Sequence, residues 1–182
     1  MNLPNKITLF RVALIPVFLW VYLAQPLAAP ASDWVAIAIF AVASITDALD
    51  GYIARTYNLI TNFGKLMDPL ADKLLVCAAL IAFVATGTLP AWAVIVMVSR
   101  EFFISGMRQL ALEKNLVLAA SKAGKIKTTT QIILILFVML PIYLGVVGEV
   151  LTFTLLIAAT ASSVLSAVDY AVRNWSLFQQ VG

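Results

Sequence analysis

The sequence lacks histidine altogether and contains a single cysteine, Cys77, among its 182 residues. The absence of histidine excludes His-based acid–base chemistry, the His–Ser and His–Cys nucleophile pairs, and most zinc or iron sites. A single cysteine excludes an internal disulfide bond and is typical of a packed thiol. Any chemistry must therefore rely on carboxylates, lysines, arginines and hard cations.

Charged residues are also few, at 12% of the chain, whereas 63% of the residues are hydrophobic. A soluble domain is about half apolar and about a quarter charged. The composition therefore predicts a single domain, residues 1–182, whose main solvent is lipid. A cleavable signal peptide is not expected, because the apolar run after Arg11 is interrupted by Pro16 and continues as a first membrane span. No nucleic-acid partner is expected.

Hydropathy predicts an all-α integral membrane protein with six transmembrane helices, each close to the roughly 20 residues that a span requires. The six helices are predicted at about 7–28, 34–57, 65–88, 90–113, 126–147 and 150–172. The short polar segment Met1–Lys6 is expected to lie at the membrane interface before the first span. Turn-forming residues separate the predicted helices, namely Gln25-Pro26 with Pro30, Gly87 with Pro90, and Gly145 with Gly148.

Basic residues are distributed unevenly among the predicted connections. The first, third and fifth connections, at about 25–33, 86–91 and 145–149, contain no lysine or arginine. The 12 basic residues lie near the termini or in and around the second and fourth connections. Because lysine and arginine accumulate on the cytoplasmic side of membrane proteins, both termini and these two connections are predicted to be cytoplasmic. This orientation requires an even number of spans.

Four of the nine acidic residues fall between positions 47 and 72, where two predicted spans meet a cytoplasmic connection. Asp47 and Asp50 are three residues apart and share a face of the second helix. Asp68 and Asp72 are four residues apart and share a face of the third helix. Pro69 does not prevent this, because proline is tolerated in the first turn of a helix. Two antiparallel neighbours can therefore bring four carboxylates into one pocket.

Four close carboxylates repel one another unless cations neutralise them. Their oxygens suit hard ions such as Mg²⁺ or Mn²⁺, and a pair of divalent cations, as in phosphoryl transfer, is the predicted occupant. The alternative is that the aspartates are helix caps or snorkelling charges at the interface. Four aspartates at paired helical spacing favour a functional site, because ionisable groups inside a membrane are costly and usually functional.

The residues around these aspartates form a longer pattern. Gly51 and Ala54 leave space for a flat ligand or for a close neighbouring helix, and Arg55 is a planar cation that can bridge a carboxylate or a phosphate. Between positions 47 and 72 the chain resembles the signature of the CDP-alcohol phosphotransferases (the class I CDP-alcohol phosphatidyltransferases) at every fixed position. The matching residues are Asp47, Asp50, Gly51, Ala54, Arg55, Gly64, Asp68 and Asp72.

The resemblance implies transfer of a phosphatidyl group from CDP-diacylglycerol, or a similar lipid nucleotide, to an alcohol, with release of CMP. It implies that Asp72 is the catalytic general base, which takes the proton from the attacking hydroxyl. It implies a homodimer, and a nucleotide flanked by Gly51, Ala54 and Arg55. The ligands that it implies for two divalent cations, Mg²⁺ or Mn²⁺, are Asp47, Asp50, Asp68 and Asp72.

A second group of charges is basic and is predicted to bind a phosphate on the acceptor. Arg100 and Arg108 lie about two helical turns apart on a similar face of the fourth span. Lys125 and Lys127 lie at the start of the fifth span, and Lys73 is a weaker candidate. The alternative is that such charges contact anionic lipid headgroups, which we prefer for Lys114 and Lys122, or that Arg100 forms a structural pair with Glu101.

Four further stretches look like one branch of this family, the bacterial phosphatidylglycerophosphate synthases, and they are residues 3–11, 66–73, 99–101 and 124–128. This resemblance implies sn-glycerol 3-phosphate as the acceptor and phosphatidylglycerol phosphate as the product. It implies a location in the bacterial inner membrane with the active site facing the cytoplasm. It also implies that Asn5, Thr8 and Arg11 lie near the nucleotide, although Asn5 also suits a helix cap.

Other functions stay open on the residues alone. Within the same family the acceptor could be inositol phosphate or serine, but serine carries no phosphate and leaves the basic cluster without a role. A cation transporter could use intramembrane aspartates, yet here they lie at one end, with only Asp33 and Glu149 at the opposite edge. A purely structural membrane protein has no use for the motif.

Overall fold

The computed structural model describes residues 3–27, 29–56, 62–113, 122–141 and 144–175, and it describes their side chains except those of residues 3–4, 47–56, 62–69, 72 and 112–113. The described residues form six α-helices and no β-strand, which confirms the prediction of an all-helical chain. The helices are α1 (Leu3–Ala24), α2 (Ala31–Thr56), α3 (Asn62–Ala85), α4 (Ala91–Glu113), α5 (Lys122–Met139) and α6 (Gly145–Arg173).

Two stretches of these helices are long and apolar enough to cross a membrane, judged by length and composition. They are Asn5–Ala24 in α1 and Gly145–Arg173 in α6. Two shorter apolar stretches, Ala31–Thr46 and Lys73–Ala85, belong to α2 and α3. Helices suited to a membrane are thus confirmed for the described part of the chain, and the full set of six spans stays a prediction.

The boundary between α5 and α6 differs from the sequence prediction. The predicted fifth span runs to residue 147, but α5 ends at Met139, two residues before Pro141. Proline has no backbone N–H and disfavours helical geometry in the residue before it. Gly145 and Gly148, predicted to lie in the connection, instead lie in the first turns of α6.

The start of α3 also differs from the prediction. The helix begins at Asn62, so Pro69 is its eighth residue and lies beyond the first turn. The prediction that Pro69 lies in the first turn is therefore wrong, and a proline at this position removes one backbone hydrogen bond from the helix. The first helix, α1, begins at Leu3, and residues 3–6 form its first turn.

The helices group into two compact units, which are described separately. Unit 1 contains α1, α2 and α3 together with residues 139–142, and unit 2 contains α4, most of α5 and α6. In unit 1, the connection between α1 and α2 is closed by Ser32. Its hydroxyl accepts a hydrogen bond from the backbone N–H of Leu27 at 3.0 Å and donates to the carbonyl of the same residue at 2.7 Å. This short connection makes α1 and α2 antiparallel neighbours.

Aromatic rings form the centre of unit 1. Phe18 of α1 stacks on Tyr22 with ring centroids 6.0 Å apart. Phe18 also meets Phe40 of α2 at 5.9 Å, and Tyr22 meets the edge of Phe83 of α3 at 5.4 Å. Such pairs contribute about 0.5–1.5 kcal/mol beyond the area that they bury. The rings therefore fix the three helices relative to one another.

Unit 2 combines an apolar cluster with a polar helix face. Ile104, Met107 and Ala111 of α4 pack with Tyr170 of α6 and are all buried. The buried face of α6 is partly polar, since it consists of Leu156, Ala159, Thr160, Ser163, Ser166 and Tyr170. Small side chains on such a face allow a neighbouring helix to approach closely and supply hydroxyl groups for hydrogen bonds between helices.

Candidate active site

The contacts between the helices of unit 1 show which residues lie at the same level along the helix axes. An apolar groove of about 510 Å³ between α1 and α3 is lined by residues from Val12 to Leu23 of α1 and from Leu74 to Ala85 of α3. The ring contact between Tyr22 and Phe83 matches the same offset. The two helices therefore run parallel, with residues about 61 positions apart in the sequence at one level.

The register of the three helices also gives the level of the acidic residues along the unit. Because α1 and α2 are antiparallel and every α-helix rises about 1.5 Å per residue, the contact of Phe18 with Phe40 sets Thr8 level with about residue 50 of α2. The parallel arrangement of α1 and α3 sets Thr8 level with about residue 69 of α3. The backbone positions of the four aspartates on α2 and α3 are therefore close to the level of Thr8.

The predicted metal ligands lie outside the described side chains. Asp47 and Asp50 lie in α2, and Asp68 and Asp72 lie in α3. Gly51, Ala54, Arg55 and Gly64 are likewise known only by their helical backbone. Among the described side chains, no group of three or more histidine, cysteine, aspartate or glutamate residues could hold a metal ion. The metal site and the catalytic role of Asp72 therefore stay predictions.

A polar face of α1 lies at the level of the aspartates. Asn5 is 7% exposed, whereas Thr8 and Arg11 are completely buried. Their spacing of three residues places them on one side of the helix. Asn5 is the third residue of α1, which does not support the alternative of a helix cap. Buried polar groups of this kind mark a polar interior at one end of an otherwise apolar unit.

Unit 2 contains a buried cluster of charges from two helices. One carboxylate oxygen of Glu101, Oε1, accepts a hydrogen bond from Nη1 of Arg100 at 3.0 Å and also contacts Nζ of Lys127. The side chains of Arg100 and Glu101 are each 11% exposed, and that of Lys127 is 5% exposed. The contact of Glu101 with Lys127 joins α4 to α5.

A hydroxyl from a third helix completes this cluster. Nε of Arg100 donates a hydrogen bond to Oγ of Ser166 in α6 at 2.9 Å. Arg100 and Lys127 therefore lie side by side on one carboxylate in a nearly dry environment. Adjacent cations attract an anion strongly there, because electrostatic interactions are weakly screened away from water. The cluster can therefore hold a phosphate.

The four predicted phosphate-binding residues are not all brought together. Arg100 and Lys127 share Glu101. The guanidinium of Arg108 lies over the ring of Tyr170, 5.9 Å from its centroid, and Lys125 is exposed. Among the described residues, neither Arg108 nor Lys125 forms an ion pair with Glu101. Arg100 and Lys127 thus form one buried pair, whereas Arg108 and Lys125 lie in different surroundings.

Two residues of the cluster are missing from the predicted site. From the sequence, Glu101 is predicted only as a structural partner of Arg100 and as part of the stretch 99–101, and Ser166 is not predicted. One signal for Ser166 is present in the sequence. Thr160, Ser163 and Ser166 recur every three residues in an otherwise apolar helix, a spacing that places small hydroxyl side chains on one face.

Comparison with known proteins relates the whole chain to one group of proteins. A family model described as CDP-alcohol phosphatidyltransferase matches residues 1–166. A Bacillus subtilis (strain 168) protein named CDP-diacylglycerol–glycerol-3-phosphate 3-phosphatidyltransferase is 43% identical, and the match covers 96% of this chain and 95% of that protein. A Mycobacterium tuberculosis (strain H37Rv) protein named probable phosphatidylglycerophosphate synthase is 39% identical over 94% of this chain and 81% of its own. An Escherichia coli (strain K12) protein with the same name as the Bacillus relative is 41% identical over 72% of this chain and 73% of its own.

Proposed function

Because the chain belongs to the CDP-alcohol phosphatidyltransferase family, we propose that it transfers the phosphatidyl group of CDP-diacylglycerol to sn-glycerol 3-phosphate, giving phosphatidylglycerol phosphate and CMP. The observation that carries this proposal is the similarity, at 43% identity over 96% of the chain, to a relative that is named for this reaction. In the reaction, the acceptor hydroxyl oxygen bonds to the phosphorus of the phosphatidyl group, the bond from that phosphorus to CMP breaks, and the hydroxyl proton is lost.

The acidic residues of α2 and α3 are assigned to the donor. Four carboxylates are a donor set that fits hard divalent cations, and the register of unit 1 supports their lying at one level. We assign two ions, Mg²⁺ or Mn²⁺, to Asp47, Asp50, Asp68 and Asp72. When bound, such ions neutralise charge on the pyrophosphate and on the departing CMP.

Asp72 is assigned as the general base. Its carboxylate takes the proton from the reacting hydroxyl of the acceptor. An aspartate is a weak base for an alcohol, so its contribution arises mainly as the proton is lost in the transition state. Asp72→Asn removes the carboxylate charge without a change of size, so it tests the base together with the metal-ligand role that is assigned to the same side chain.

The nucleotide is assigned to residues at the same end of unit 1. Asn5 and Thr8 of α1 supply hydrogen-bonding groups from a buried polar face. Arg11, completely buried on that face, needs anionic or carbonyl partners there because a guanidinium is costly to bury alone. From α2, the residues assigned to the nucleotide are Gly51, Ala54 and Arg55.

The acceptor phosphate is assigned to the basic residues of unit 2. Arg100 and Lys127 are the principal pair, because they are buried side by side on the carboxylate of Glu101. Arg108 and Lys125 are assigned to the same phosphate, although their described surroundings differ. A phosphate-bearing acceptor gives this pair of cations a function that serine does not.

The finer description of the molecule in the membrane is also a proposal. We assign six spans, both termini on the cytoplasmic side, and a location in the bacterial inner membrane with the active site facing the cytoplasm. The helix lengths and the distribution of the 12 basic residues support this assignment. A single functional domain over residues 1–182 and a homodimer are proposed on the family resemblance.

The proposed reaction is tested by supplying acceptors one at a time. The purified protein is given CDP-diacylglycerol and Mg²⁺ or Mn²⁺, then sn-glycerol 3-phosphate, inositol phosphate or serine, and CMP release is followed. Release is expected with glycerol 3-phosphate and not with the other two. Release only with inositol phosphate or serine would mean that the acceptor is wrong while the family chemistry is right.

A further inference from the structure

The guanidinium of Arg100 is held in a fixed orientation by two hydrogen bonds. Nε donates to Ser166 at 2.9 Å and Nη1 donates to Glu101 at 3.0 Å. Because the guanidinium is planar and rigid, two bonds from different nitrogens fix its plane and its direction. Among the described residues, Nη2 has no hydrogen-bond partner, and the side chain keeps 11% of its surface exposed. Nη2 is thus an aligned donor that a ligand can reach.

The ammonium group of Lys127 is fixed by the same carboxylate. Its long aliphatic stem has many rotamers, yet its Nζ contacts Oε1 of Glu101, the atom that also accepts from Arg100. Two cations in a nearly dry environment repel each other unless an anion lies between them. Glu101 supplies that anion, so both cations are held side by side.

From this geometry we propose that Glu101 and Ser166 are positioning residues, which align Arg100 and Lys127 for the phosphate of the acceptor. The inference rests on the proposed function, because that function supplies the phosphate-bearing acceptor. Neither positioning residue touches the substrate. Glu101 holds the two cations at a fixed separation, and Ser166 sets the direction of the Arg100 donors.

A purely structural ion pair does not account for this arrangement. A structural pair needs one cation for one carboxylate, whereas this carboxylate holds two cations, and Nη2 of Arg100 has no hydrogen-bond partner among the described residues. Buried ion pairs are in general weak contributors to stability, because desolvation offsets the attraction. A guanidinium N–H that is largely removed from water and has no acceptor is costly unless a ligand uses it. The unused donor of Arg100 therefore points to ligand binding.

The Glu101→Gln substitution distinguishes a positioning role from a simple effect of net charge, because the two predict opposite changes in the affinity for the phosphate. Removal of a negative charge beside a phosphate site strengthens phosphate binding if only net charge matters. Under the positioning role, glutamine holds the two cations poorly and binding weakens. We expect the Kd for sn-glycerol 3-phosphate to rise about tenfold, as for loss of a charge-assisted hydrogen bond.

The measurement is equilibrium binding of radiolabelled sn-glycerol 3-phosphate to the purified full chain, with CMP and Mg²⁺ present. On the same preparation, kcat is measured from CDP-diacylglycerol at saturating acceptor and is expected to stay within about twofold of the unsubstituted protein. The matched control is Asp169→Asn, which removes the carboxylate of an ion pair with Arg173 elsewhere in unit 2. An unchanged or lower Kd for Glu101→Gln overturns the inference.

Ser166 is tested with a matched serine on the same helix. Ser166→Ala is expected to raise the Kd about threefold by releasing Arg100 Nε. Ser162→Ala removes a hydroxyl that lies 2.8 Å from Oγ1 of Thr130 and is expected to leave the Kd unchanged. In an Arg100→Ala background, Ser166→Ala is expected to have no further effect, since its role is exerted through the guanidinium. A further loss of binding in that background overturns the positioning role of Ser166.

The outcomes also distinguish this inference from the proposed function. If the unsubstituted protein binds glycerol 3-phosphate but releases no CMP, the proposed function fails and the inference is decided by the Kd values alone. If the unsubstituted protein does not bind glycerol 3-phosphate, both fail. Should Glu101→Gln not fold, the Ser166→Ala comparison decides the inference, because alanine at this helical position preserves the backbone.

Discussion

We assign two different roles to carboxylates in this chain, one to Glu101 and one to the aspartates of α2 and α3. Glu101 is held between two cations, and we assign it the role of organising positive charge. The aspartates of α2 and α3 are assigned to an acidic group that needs cations from outside the chain. Asp72 belongs to this second group, and we assign it both metal binding and the proton transfer.

At the residue scale, the assigned roles of the aspartates predict a selective loss of turnover. Asp72→Asn is expected to lower kcat for CMP release by about a hundredfold or more, because general-base catalysis contributes about 10²–10⁴. Chelation of divalent cations is expected to give a similar loss, restored by Mg²⁺ or Mn²⁺. The measurement is steady-state CMP release from CDP-diacylglycerol with glycerol 3-phosphate.

The control for this prediction is Asp33→Asn. Asp33 lies in the first turn of α2, at the opposite end of unit 1, and accepts a hydrogen bond from Gln25 at 2.9 Å. Its substitution is expected to leave kcat unchanged. Near-normal turnover of Asp72→Asn would contradict the general-base role.

Individual site residues were predictable from the sequence to different degrees. Arg100 and Lys127 stand out because cations within apolar segments are rare and functional. Their pairing through Glu101 was not predictable, because it depends on how α4 and α5 are aligned in space. Ser166 is one of several serines on a largely apolar helix, and its burial and the hydrogen bond from Arg100 distinguish it from Ser162 only in the structure.

At the element scale, hydropathy predicted the six helices that the described residues form, but it did not predict all of their ends. A window of hydropathy averages over many residues, so it does not register a single missing N–H. The end of α5 is set by Pro141, and the polypeptide beyond it is apolar enough to resemble a continued helix. The end of α1 was nearer to the prediction because Gln25, with a φ of 47°, and Pro26 both interrupt the helix.

The proposed orientation of the helices predicts which helix ends can be reached from outside the cell. In a Cys77→Ser background, Thr88→Cys after α3 and Val146→Cys in the first turn of α6 are expected to react with a membrane-impermeant maleimide in intact cells. Lys122→Cys at the start of α5 and Trp175→Cys after α6 are expected to react only after the membrane is opened. All four positions are exposed, so burial does not hide them.

The native thiol must be removed for this experiment even though Cys77 is buried. Labelling of a cysteine at position 122 or 175 in intact cells would contradict the positive-inside orientation. Equal labelling of all four positions in intact cells would contradict the six-span arrangement.

At the scale of the whole molecule, the family was predictable from the sequence. The difference between the buried pair, Arg100 and Lys127, and the other basic residues is visible only in the structure. Eight specified residues between positions 47 and 72 were enough to predict the family, and the match over residues 1–166 confirms it. The arrangement of the basic residues was not predictable in the same way. It arises from contacts among α4, α5 and α6 that are far apart in the sequence, such as Arg100 with Ser166.

The central claim is that this chain joins a phosphatidyl group to glycerol 3-phosphate, and the fate of the acceptor tests it most directly. The purified protein is incubated with CDP-diacylglycerol, Mg²⁺ and isotopically labelled sn-glycerol 3-phosphate, and both products are measured. We predict one labelled phosphatidylglycerol phosphate for each CMP released. Release of CMP without labelled lipid, or no release of CMP at all, would contradict the claim.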